Sequence, residues 1–164
     1  ASKLVIFVPP GAVCITRELF DRIGGFDESL RSWEITDFML RAGLESPGFA
    51  VLAQICANIY QTPGSASTIT HKQVVYMARY CEKALALMPR VPNTEQPALL
   101  LGLKSFMETM WNMGAIREFK ALARGLCPLL IHHGIRSKPC TYSAMPTIGL
   151  KAIASARAVM RQAI

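Results

Sequence analysis

The sequence predicts an α/β front part followed by a C-terminal helical bundle, on three observations. The run Leu4-Val5-Ile6-Phe7-Val8 is wholly apolar and has the length of a buried strand. Phe49 to Tyr60 is strand-like, rich in β-branched and aromatic residues, with no internal Pro or Gly. From residue 71 onward, apolar residues recur at helical spacing.

The elements follow in order. After the Leu4–Val8 strand, Pro9-Pro10-Gly11 forces a turn, and Ala12 to Ile15 is a short second extended piece. Thr16 caps a helix over Arg17 to Ile23, which Gly24-Gly25 stops in a left-handed turn. Ser32 caps a helix from Trp33 to Ala42, and Gly43 ends it. The Phe49–Tyr60 strand leads into a Pro63-Gly64-Ser65-Ala66-Ser67 loop. A helix then runs from His71 to about Met88 on a stripe of Val74, Ala78, Cys81, Leu85 and Met88, until Pro89 and Pro92 break it. Asn93-Thr94 starts the next helix, with Pro97 tolerated in its first turn and a stripe running from Leu99 to Trp111. Gly114 interrupts, and Ile116 to Leu126 is helical up to a break at Cys127-Pro128. A short helix from Leu129 to His133, a loop from Gly134 to Met145 and a last helix from Pro146 to about Ala163 complete the chain. The division falls between residues 1–70 and 71–164.

The candidate site lies on the second helix. Glu34, Asp37 and Arg41 fall on one face, and Ile35, Phe38, Met39 and Ala42 form the apolar set that anchors it. Two carboxylates and a guanidinium held out by a core-anchored helix suit general-base chemistry. The same spacing also describes a surface helix with an Asp37–Arg41 i,i+4 pair, and both readings stand on spacing alone.

Several motifs occur in a specific order: Pro10-Gly11-Ala12, Arg17-Glu18-Leu19-Phe20, Gly24-Gly25-Phe26-Asp27-Glu28, then Glu34, Asp37 and Leu40-Arg41, then Ile59-Tyr60 with Pro63-Gly64-Ser65-Ala66-Ser67. Together they resemble the acceptor-side part of a family 2 glycosyltransferase with the GT-A fold, over roughly Leu4 to Ser67. The resemblance implies a partial GT-A-like sheet for residues 1–70. It implies an inverting transfer from a sugar nucleotide to an acceptor hydroxyl, with a divalent metal (Mg or Mn) in the complete enzyme. Carried onto this chain, Glu34 is the candidate base, and Asp37 orients the acceptor or holds Arg41. Gly11, Ala12, Trp33 and Arg41 are the candidate substrate-binding residues.

The chain departs from the family pattern in three places. The second acid of the family's Glu-Asp pair falls on Ile35, which cannot accept a proton. Gln61-Thr62 stand where the family often has Arg and His. The three aspartates, Asp21, Asp27 and Asp37, form no Asp-x-Asp, the family's metal and diphosphate motif. No metal ligand is therefore assigned to this chain. Since the chain enters an apolar strand almost at Ala1, the expectation is a C-terminal piece of a longer enzyme, inactive without a nucleotide-binding half. The alternative is a degenerate, non-catalytic module that docks on a partner or a membrane.

The remaining features narrow the class. The 164 residues are 51% hydrophobic and 18% charged, which suits one domain with a sizeable core. Five cysteines without a C-x-x-C spacing read as reduced, buried and cytoplasmic. His132-His133 are adjacent and cannot share one metal from one helical face. Residues 1–70 hold five Lys/Arg and seven Asp/Glu, and residues 71–164 hold thirteen and four. Such a basic half suits peripheral contact with an anionic membrane, a phosphate-bearing acceptor, or solvent alone. Nucleic acid is not expected, because the cations are spread singly. No run is long and apolar enough to span a bilayer.

Overall fold

The computed structural model describes residues 10–46, 48–50, 58, 60 and 71–142. Among them, six α-helices occur: α1 (Arg17–Arg22), α2 (Glu34–Glu45), α3 (His71–Leu87), α4 (Gln96–Asn112), α5 (Ile116–His132) and α6 (Lys138–Tyr142), with 3-10 turns at Pro10–Ala12 and Met88–Arg90.

These residues form no strand, so the α/β, GT-A-like expectation is corrected to an all-helical fold. The physical reason lies in what covers the apolar faces. Helix α2 buries Phe38, Met39, Leu40 and Ala42, and the elements packed on it are α3 and α1 rather than a sheet. The Leu4–Val8 strand and the last helix from Pro146 lie outside the described residues. So does most of Phe49–Tyr60, and its described residues (49, 50, 58 and 60) join no strand. The second extended piece begins instead within the 3-10 turn Pro10–Ala12.

The core sits among α3, α4 and α5. Helix α4 contributes Leu99, Leu100, Leu103, Met107, Met110 and Trp111, and α5 contributes Ile116, Phe119, Leu122, Leu126 and Leu130. These positions repeat at three and four residues, so each helix carries one apolar stripe to bury. The turn at 113–115 folds α4 against α5 as a hairpin, held by Ala115 N–H donating to Met110 O at 2.9 Å. Helix α3 packs on both, presenting Val74, Met77, Cys81 and Ala84. Gly125 makes the α3–α5 approach close: a Cβ there would lie 3.2 Å from the Leu85 side chain.

Several boundaries differ from the sequence reading. Helix α5 runs through Pro128 instead of breaking at Cys127-Pro128. Pro128 costs one backbone hydrogen bond, and buried Leu126, Cys127 and Leu130 around it keep the helix packed. Gly43 is buried inside α2 rather than ending it. Ser32 does not cap that helix: Trp33 occupies the cap position at φ 68, with no side-chain cap. The expected loop after Gly134 contains α6, whose Tyr142 ring stacks on Trp111 at 5.3 Å. Cys127 and Cys140 form a disulfide rather than staying reduced, because α6 folds back to bring their Cα atoms to 5.7 Å. Cys81 is buried as expected, and Cys14 is exposed.

Candidate functional site

The site is built by the loop after α1, the start of α2 and one residue of α3. Thr16 caps α1 through Leu19 N–H at 3.2 Å, as its sequence suggests. At the other end Gly24 and Gly25 take φ values of 76° and 66°. Only glycine enters that region at little cost, and at Gly25 a Cβ would also lie 3.1 Å from the Phe20 ring. The tight turn places Phe26 on Phe38, stacked at 4.6 Å, with Phe20 completing the cluster. Asp27 then closes an Asx turn, accepting from Ser29 N–H at 2.8 Å.

Arg41 and Lys83 knit this loop to α2. The Arg41 guanidinium donates through Nε to Asp37 Oδ2 at 2.9 Å, through Nη1 to Ile23 O at 2.5 Å and through Nη2 to Gly25 O at 2.8 Å. It therefore satisfies carbonyls left open at the end of α1 as well as pairing a carboxylate. Lys83 Nζ lies 2.5 Å from Asp27 Oδ2 and 2.7 Å from Asp37 Oδ1, the second contact an ion pair rather than an aligned hydrogen bond.

Asp37 is 0% exposed and is the one charged residue in the described core. A carboxylate without a partner there would cost several kcal/mol. Two cations match it, which explains how the helix tolerates it. The hydrogen bond from Lys83, then those from Ser29, hold the Asp27 carboxyl well below the usual carboxylate range. Burial pushes the Tyr80 phenol and the Cys81 thiol up, so both stay protonated near neutral pH.

The sequence-derived residues separate here. Asp37 and Arg41 do pair, but inside the protein rather than displayed on its surface. Glu34 stands in the first turn of α2, half-buried, with no ion pair or side-chain hydrogen bond among the described residues. Trp33 packs edge-on against Phe106 of α4 at 4.7 Å, its indole N–H buried without a partner among the described residues. Gly11 and Ala12 are exposed on the 3-10 turn, and no described hydrogen bond links them to Glu34 or Asp37. The Pro63–Ser67 loop and Gln61-Thr62 lie outside the described residues.

Sequence reasoning missed Lys83 and gave Asp27 no part in the site beyond its place in the Gly-Gly-Phe-Asp-Glu motif. A signal for Lys83 exists: it sits one residue before buried Ala84 and three after buried Tyr80, where a lysine needs an acid close by. The partner acid is distant in sequence and no pattern names it. Asp27 and Asp37 converge as metal-binding carboxylates would, yet the ammonium of Lys83 stands between them. Among the described residues no group of three or more His, Cys, Asp or Glu could hold a metal ion.

Comparisons of the chain with family models, with curated proteins and with solved structures find no match.

Proposed function

We propose that this chain is the acceptor-side part of a sugar-nucleotide-dependent, inverting glycosyltransferase in which Glu34 is the general base. The observation that carries the choice of base is the contrast between the two acids of α2. Asp37 is sealed and matched by Arg41 and Lys83, so it cannot reach an acceptor. Glu34, one turn earlier, has a carboxylate left available at the helix N-terminus. The Gly25-Phe26-Asp27 and Leu40-Arg41 stretches support the wider reading, since Arg41, Phe38 and Lys83 tie Gly25, Phe26 and Asp27 in turn to the helices behind them.

In this reading the Glu34 carboxylate takes the proton of an acceptor hydroxyl as that oxygen bonds to the anomeric carbon. The carbon–oxygen bond to the nucleoside diphosphate breaks, and its electron pair leaves with the diphosphate. The base must lie within hydrogen-bond reach of the hydroxyl. Asp37 and Arg41 then act by fixing the loop that Gly25 and Phe26 shape. A divalent metal, which the resemblance implies for the complete enzyme, does not fit the acids described here: Asp27 and Asp37 are spent on Lys83. No step is routed through a metal, and donor binding is assigned to no residue of this chain.

The test is sugar transfer by the gene's full product with a panel of sugar nucleotides and hydroxyl acceptors. Glu34→Gln should lower turnover about 10²–10⁴-fold with little change in KM, the usual share of a general base. Unchanged turnover in Glu34→Gln removes Glu34 from the base role. Failure of the unaltered product to transfer or hydrolyse any donor favours the second reading, a non-catalytic module, which Ile35 at the acid position supports.

A further inference from the structure

The charge of this chain is not spread over its helical half. Residues 1–115 hold ten Lys/Arg and ten Asp/Glu, while residues 116–164 hold eight Lys/Arg and a single acid, Glu118. The whole net charge of +7 therefore belongs to the segment that begins with α5.

Helix α5 sorts that charge onto one side. Ile116, Phe119, Leu122, Leu126 and Leu130 are buried against α3 and α4, whereas Arg117, Lys120 and Arg124 fall at i, i+3 and i+7 on another face. Arg117 and Arg124 are exposed, and all three line one open cleft of about 500 Å³ at the start of α5, where Glu118 is the single acid against three cations and forms no ion pair with them. Further along α5, Ile131 is 73% exposed. Arg136 and Lys138 follow, both exposed, and the Cys127–Cys140 disulfide ties their segment back to α5.

Of the nine described cations before α5, Arg31, Lys72 and Arg79 meet no acid among the described residues and the other six do. Arg17, Arg22, Arg41, Lys83, Arg90 and Lys104 each meet an acid. Arg117, Lys120, Arg124, Arg136 and Lys138 meet none among the described residues. Clustered like charges without counter-charges repel one another. An anionic partner relieves that repulsion.

We propose that the α5 face of Arg117, Lys120 and Arg124, continued by Ile131, Arg136 and Lys138, is a peripheral docking surface for an anionic lipid membrane. Charge complementarity selects an anionic occupant, and the bare Ile131 selects lipid over a purely polar polyanion. An isoleucine so exposed gains by entering the headgroup–acyl boundary, the position an amphipathic surface helix takes. The attachment is peripheral, since no described helix is long and apolar enough to cross a membrane. This inference does not depend on the glycosyl-transfer reading.

The experiment is co-sedimentation of the full chain with vesicles of phosphatidylcholine alone or with about 30% phosphatidylserine, at rising salt. Binding should require the anionic lipid and fall steeply with salt, as screening predicts. Arg117→Gln/Lys120→Gln/Arg124→Gln should weaken partitioning about 100-fold, from roughly a fivefold contribution per cation near an anionic surface. The matched control Arg22→Gln/Arg31→Gln/Lys72→Gln removes the same charge elsewhere and should stay within a few-fold of the parent. Ile131→Ser should weaken binding and leave it salt-sensitive. Circular dichroism and unfolding curves check that each variant folds. Equal binding to neutral vesicles, equal losses in the two triple variants, or tighter capture by an RNA duplex than by anionic vesicles would overturn the proposal. Displacement by millimolar inorganic phosphate would reassign the cleft to a free phosphate and overturn it as well.

Discussion

Lys83 Nζ contacts Asp27 Oδ2 and Asp37 Oδ1 together, at 2.5 and 2.7 Å, so one ammonium fastens the loop after α1 to α2. Such a cluster is not stabilising merely because it is charged: burying its ions costs about as much as their attraction returns. Its weight appears when one member is removed. Asp37→Ala should cost roughly 3 kcal/mol, the low end for a broken buried pair, because Arg41 and Lys83 keep some access to water. Lys83→Met should cost less, about 1–2 kcal/mol, since Asp37 retains Arg41. Urea unfolding curves give both values. The order of the two is diagnostic: a larger loss in Lys83→Met would mean that Arg41 does not compensate Asp37.

Gly25 and Gly11 make a second comparison. At Gly25 a side chain meets both a positive φ of 66° and the Phe20 ring, which meets Phe26 of that loop edge-on. At Gly11 nothing lies within 4 Å of an added Cβ. Gly25→Ala should cost about 1–2 kcal/mol from the left-handed backbone and the ring contact together. Gly11→Ala should lie within about 0.5 kcal/mol of the parent, as surface changes usually do. Thermal unfolding of the two variants side by side decides it.

What the sequence made legible was local. The Thr16 cap, the left-handed Gly24-Gly25 turn and helix α3 depend on neighbours within a few residues, and each stands where its residues put it. The Asp37–Arg41 pair was legible for the same reason, being one helical turn apart. Whether that pair faced solvent or core was not. It depends on Lys83 arriving from a helix 56 residues beyond Asp27, a relation that no local pattern contains. Pro128 misled by the same logic. Its local preference is to break a helix, but the packing of Leu126, Cys127 and Leu130 outweighs one lost hydrogen bond. The front of the chain reads as α/β from apolar runs at 4–8 and 49–60 that lie wholly or mostly outside the described residues, while its described part holds α1 and α2.

The cysteines should separate chemically. Cys14 is exposed, Cys81 is buried with its thiol held protonated, and Cys127 is joined to Cys140. Alkylation of the native, unreduced protein should label the Cys14 peptide quickly and the Cys81 peptide only after unfolding, because the thiolate is the reactive species. A Cys127–Cys140 cross-linked peptide should appear in a non-reducing digest. The bridge closes a separation of 13 residues, and Cys140→Ser should cost about 2–3 kcal/mol on chain-entropy grounds. Fast labelling of Cys127 in unreduced protein would show that the bridge does not form.

Acid should act on the Asp27–Lys83 contact in a definite direction. In the folded chain the hydrogen bond from Lys83, followed by those from Ser29, holds the Asp27 carboxyl below its ordinary range. In the unfolded chain that carboxyl titrates near its usual value of about 3.9. Between those two values the unfolded state binds more protons, so stability rises with pH there. The contribution of Asp27 is fully present above the unfolded value and is lost as pH falls toward the folded one. The measurement is urea unfolding of the parent and Asp27→Asn at a series of pH values from 7 to 2. The gap between the two proteins should be constant from about pH 7 to pH 5 and should narrow progressively below about pH 4. Salt provides the cross-check. The Asp27 side chain is 27% exposed and that of Lys83 34%, so their pairing lies partly within reach of screening ions. The gap at neutral pH should therefore shrink moderately in molar salt without vanishing. A gap that grows on acidification would mean that Asp27 is protonated in the folded chain, and the Lys83 bridge would have to be assigned to Asp37 alone.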